Sequence, residues 1–121
     1  MLADSLADQA NGGEGNFFDH AVQCLPGGMP RDMAGNQGLE FVVTPKVTHV
    51  LFIQAVPRRI YTDGRVFRDY EEPAFNGYSI GKWIDEDGDG RYDVLEIETR
   101  NLKNPRTYDA SGIPFHADGQ T

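Results

Sequence analysis

Between Leu39 and Arg100 the chain is a succession of short runs rich in Val, Ile, Phe and Tyr, each stopped by Pro, Gly or Asp. No run holds the 3.6-residue apolar spacing long enough to build a sizeable amphipathic helix, so this texture points to strands. LEFVVT (39–44) and VTHVLFIQA (47–55) are separated by Pro45-Lys46 and read as two consecutive strands. RRIYT (58–62) and RVF (65–67) flank Asp63-Gly64, a dipeptide that suits a tight primed hairpin turn. FNGYSIGKWI (75–84) and DVLEIETR (93–100) form a further strand pair. In the second, Leu95 and Ile97 alternate with Val94, Glu96 and Glu98, giving one apolar face and one largely acidic face. The expected class is all-β, as a mainly antiparallel meander sheet or a small barrel, with an irregular N-terminal arm.

That arm spans 1–38, ahead of a β domain over 39–121. It holds seven of the fourteen glycines and few β-branched residues, which favours extended or irregular backbone over a packed element. Leu2 and Leu6 support one short helix, and the first 20 residues read as ordered only in part. The segment from Cys24 to Arg31 contains Pro26 and Pro30, so it suits neither helix nor central strand. Residues 106–121 read as a short strand or turn and then a loose tail.

Composition limits the functions open to such a domain. At 121 residues the chain has the size of one domain with a modest core. The net charge of −8 disfavours a broad grip on nucleic acid or on an anionic membrane. The longest apolar run, Val50 to Ile53, falls far short of the roughly 18 residues that span a bilayer. A single cysteine, Cys24, leaves no intramolecular disulfide and no Cys-cluster metal site. Residues 1–10 have no basic stretch followed by a long apolar one, so the expectation is a chain without a leader.

The sharpest chemical motif runs from Asp85 to Asp93. Asp85, Asp87, Asp89, Gly90, Asp93 and Glu96 fall at positions 1, 3, 5, 6, 9 and 12 of a calcium loop. A hard dication takes six to eight oxygens, and alternate residues of a curled loop aim Asp85, Asp87 and Asp89 at one centre. Gly90 makes the sharp turn that lets Arg91 offer its backbone carbonyl, and Asp93 closes the set. The flanks look like strands, and an extended chain at Asp93 would turn Glu96 to the opposite face. The expected ligands are therefore Asp85, Asp87, Asp89, Asp93 and the Arg91 carbonyl, holding a structural calcium ion. In this respect the loop is similar to the DxDxDGxxD loops between strands of integrin-type propeller blades. A plain solvated turn is the competing reading, yet five acids within nine residues repel one another and a turn alone requires none of them.

Met29-Pro-Arg31, EFVVTP (40–45), RRIYTDGR (58–65), FNGYSIGKW (75–83) and the acidic loop with its following strand together resemble an uncharacterised family of bacterial, often exported, β-rich proteins. The likeness covers about three quarters of the chain. It implies a β fold and an exported origin but no activity. It also implies that calcium is an accessory of some members, since many carry a short Glu-Gly-Asp type hairpin instead. Such proteins continue with additional strands, which would leave a sheet edge open here; self-association into a homo-oligomer through that edge follows as an expectation.

A second candidate site lies in the basic, aromatic stretch Arg58 to Arg68. Arg59 and Tyr61 share a strand face and would border a cavity with Trp83 if the sheet curls; an Arg fork suits a planar anion. His49 faces with Leu51 and Ile53 and would act as a general base only if a barrel mouth placed it there. No GxSxG, HExxH or phosphate-cradling loop is present, and no acid, base and nucleophile form a set. The reading that results is a non-enzymatic β domain with a calcium-binding hairpin, acting through partner binding or self-association. The alternative is a small-molecule-binding barrel or enzyme around Arg59, Tyr61, Trp83 and His49.

Overall fold

A computed structural model describes residues 2–12, 24–35, 38–104 and 106–107. Its elements are two short helices, α1 (Leu2–Ala10) and α2 (Arg31–Ala34), and five strands: β1 (Leu39–Val43), β2 (Val47–Phe52), β3 (Arg58–Tyr61), β4 (Tyr78–Ile84) and β5 (Val94–Arg100). The strands form one sheet in the order β1-β2-β3-β4-β5. The protein is all-β in its main architecture, and the sheet is open, with β1 and β5 as its edges. The small-barrel alternative therefore does not hold.

Three of the four ladders are antiparallel, while β3 and β4 run parallel through Ile60↔Ser79 and Tyr61↔Ile80. A pure meander is thus interrupted once. Parallel neighbours need a crossover, and residues 62–77 supply it. The expected hairpin over 58–67 does not form, and the turn explains why. A type I′ turn needs positive φ at both central residues and a type II′ turn at the first; Gly64 has φ +79°, but Asp63 is not among the residues with positive φ. The chain leaves β3 without pairing back on it, and 65–68 is not a strand.

The crossover is tied to the far end of β5. Ala74 forms a parallel bridge with Leu102, Ala74 N donates to Asn101 O at 3.0 Å, and Lys103 N donates to Ala74 O at 2.9 Å. The segment 24–35 is attached to the same corner. Met29 N donates to Phe75 O at 2.9 Å, and Arg106 Nη1 donates to Met29 O at 2.7 Å. Arg31 Nη1 also reaches Thr107 Oγ1 at 2.8 Å. Met29 and Leu102 are buried by these contacts.

The remaining core sits under one face of the central strands, where Thr48, Val50, Ile60 and Ser79 are all buried. The register places these side chains on a common side, with Gly81 and Ile97 continuing the row toward β5. β1 differs, since all five of its residues are exposed. Among the described residues no helix is long and apolar enough to cross a membrane. Residues 13–23 and 108–121, including His20 and His116, lie outside the described set.

Candidate functional site

The acidic loop joins β4 to β5 as a hairpin, closed by Asp93 N donating to Ile84 O at 3.1 Å. Four aspartates organise its backbone. Asp85 accepts from Gly88 N at 2.8 Å on Oδ1 and from Gly90 N at 2.9 Å on Oδ2. Asp87 accepts from Asp89 N at 3.2 Å, Asp89 from Arg91 N at 2.8 Å, and Asp93 from Glu86 N at 3.2 Å. Gly88 and Gly90 stand at φ +75° and +89°, in the left-handed region that a side chain resists. These two glycines let the chain curl tightly enough for its own N–H groups to face inward.

The curl gathers carboxylates. One oxygen from each of Asp85, Asp87 and Asp89 lies within 4.8 Å of the others. Calcium–oxygen distances of about 2.3–2.6 Å put opposed ligands roughly 5 Å apart, so this spacing is compatible with three oxygens around one ion. Each carboxylate oxygen keeps a lone pair beyond the one given to a backbone N–H. Asp93, by contrast, is not in the gathered group, and its Oδ1 is engaged by Glu86 N. Glu96 sits inside β5 opposite Lys82.

The second region forms on the opposite face from the buried row. Tyr61 stacks on Tyr78 with ring centroids 5.3 Å apart, and the Arg65 guanidinium lies 3.7 Å above the Tyr61 ring. Arg65 also donates to Tyr78 Oη at 3.1 Å and grips Asp63 with two bonds, at 2.8 and 2.7 Å. This clamp holds the Asp63 carboxyl at about 2, below its ordinary 3.8, and raises Arg65 above its usual range. Phe67 meets Tyr78 edge-on at 6.0 Å, and Arg100 covers Phe67 at 4.2 Å. Arg58 turns the other way. It donates to Ser79 Oγ at 3.2 Å and to Thr99 Oγ1 at 2.7 Å, and burial lowers its pKa.

Two clefts flank the tyrosine stack. The larger, of about 740 Å³, is bordered by Arg65, Phe67, Lys82, Trp83, Glu96 and Glu98, so both signs of charge line it. The smaller, of about 290 Å³, is bordered by Pro57, Arg59, Tyr61, Phe75, Asn76 and Tyr78 among others. Arg59 and Tyr61 are thus together, as their shared face requires. Trp83 borders the larger cleft and not the smaller one, so it does not join Arg59 and Tyr61. His49 is half-buried and pairs across the ladder with Arg59, yet it lines neither cleft.

Compared with protein-family models, curated proteins and solved structures, the chain matches none. Function must then be argued from the two sites themselves. Phe75, Asn76 and Pro57 were not legible as site residues: the run 75–84 read as strand from its first residue, whereas 75 and 76 belong to the crossover before β4, and Pro57 only precedes β3. The Asp63–Arg65 clamp was equally hidden, since the Asp-Gly pair suggested a hairpin.

Proposed function

We propose that this is a non-enzymatic β domain whose β4–β5 hairpin is clamped by one calcium ion and which associates with a second copy of itself through β1. The convergence of the Asp85, Asp87 and Asp89 carboxylates within 4.8 Å carries the calcium reading. Bringing three like charges together in an exposed loop is unfavourable unless a cation compensates them. The Arg91 carbonyl and Asp93 complete the set on this reading, Asp93 by exchanging its bond to Glu86 N for the ion or a bridging water. The ion's role is structural. An oxygen-filled coordination sphere ties β4 to β5 and offers no open position for a substrate.

Self-association rests on a separate feature. β1 is an edge strand whose Leu39, Phe41, Val42 and Val43 are all exposed. A free, apolar strand edge is a template for another strand. Antiparallel pairing of β1 with its copy about Phe41 would set Leu39 opposite Val43 and extend the sheet. The family resemblance belongs to the same proposal: an exported, bacterial location would supply the calcium needed to fill a loop whose affinity Arg91 lowers.

A calcium titration followed by amide chemical shifts tests the first part. The expected response is saturable and centred on 85–93, and is lost in Asp87→Ala. A response elsewhere, or one retained in the variant, refutes it. For the second part, Phe41→Lys places a charge in the middle of the edge strand. Sedimentation should show a dimer for the parent and a monomer for the variant; a monomeric parent at high concentration removes the idea.

A further inference from the structure

We propose that the smaller cleft beside the tyrosine stack is a binding site for a small planar aromatic carboxylate. This goes beyond the calcium and self-association reading and stands without it. The protein carries 19 acidic residues against 11 basic ones, yet among the described residues no carboxylate borders this cleft. Arg59 does border it. Its side chain is exposed and has no hydrogen-bond or ion-pair partner among the described residues, unlike Arg58, Arg65, Arg68 and Arg100, each of which is engaged. A second cation stands close by, with Lys103 Nζ 5.7 Å from the Phe75 ring centre.

The rest of the wall suits a flat apolar body. Tyr61, Phe75 and Tyr78 supply aromatic surface, and Pro57 and Val56 add rigid apolar edges. The clamp from Asp63 through Arg65 holds the Tyr61–Tyr78 stack in place, so the aromatic wall is set before any ligand arrives. The volume of about 290 Å³ fits one or two fused rings. Asn76 stiffens the wall, since its Nδ2 donates to Val56 O at 2.9 Å and fixes the amide. The ligand's carboxylate takes the two-pronged guanidinium of Arg59.

The probes are indoleacetate, which has a planar ring, an N–H and a carboxylate, and tryptamine, which keeps the ring but carries an ammonium. Each is titrated into the isotope-labelled full chain, in calcium and again in chelator, with amide shifts as the readout. Indoleacetate should give saturable shifts centred on Arg59, Tyr61 and residues 75–78 under both conditions. Loss of a charge-assisted pair should weaken it about ten- to a hundredfold in Arg59→Met, with partial recovery in Arg59→Lys. Because Arg59 is exposed, an unchanged melting curve confirms that the variants fold. Absence of shifts with indoleacetate overturns the proposal, as does equal binding of tryptamine or undiminished binding to Arg59→Met. If calcium fails to bind at 85–93 while indoleacetate still binds here, only the calcium reading falls.

Discussion

Two Asp-Gly turns follow two strands of the same sheet, and they end differently. After β3, Asp63 uses both carboxylate oxygens on the guanidinium of Arg65, and the chain departs on a crossover. After β4, Asp85 uses both oxygens on the backbone N–H groups of Gly88 and Gly90, and the chain returns as a hairpin. In the first case the carboxylate fixes a side chain against an aromatic face. In the second it fixes the backbone itself, and the neighbouring aspartates converge as a consequence. Both segments turn; whether the first aspartate grips a side chain or the backbone decides what the turn builds.

Several substitutions sharpen that contrast. Asp85→Ala removes the acceptor for two loop N–H groups and should cost about 1–2 kcal/mol in chelator, measured by denaturant unfolding. A neutral result would mean that water replaces the carboxylate without loss. Gly90→Ala and Gly64→Ala each force a side chain into the left-handed region and should each cost about 1 kcal/mol. Only the first should also weaken calcium binding, so equal effects of both on calcium would dissolve the distinction between the turns. The smallest effect is on titration. Asp63 should titrate near 2 by NMR and return toward 3.8 in Arg65→Met. Because its folded pKa is depressed, any stability it lends is present above about pH 3.8 and is lost as pH falls through 2.

The strand content was legible because Val, Ile and Phe cluster in short runs, and four of the strand starts expected from those runs fall within one residue of the observed ones. β4 begins at Tyr78, three residues later than its run, since Phe75 and Asn76 belong to the crossover that borders the smaller cleft. The parallel β3–β4 ladder was not legible, because local pattern records which residues want a strand and carries little about which neighbour it finds. The acidic loop was readable because its chemistry lies in consecutive residues. Strand alternation correctly kept Arg59 with Tyr61. It could not assign Trp83, which borders the larger cleft instead of joining them.

The claim that matters most is that the gathered aspartates exist to hold a cation. A thermal melt in calcium and in chelator, for the parent and for Asp87→Ala, tests it directly. At a hundred times the dissociation constant, calcium should add about 2.7 kcal/mol to the parent. That is a shift of at least several degrees for a domain of this size, and it should vanish in the variant. Identical melts with and without calcium, or an equal rise in Asp87→Ala, would make the loop a charged turn and nothing more.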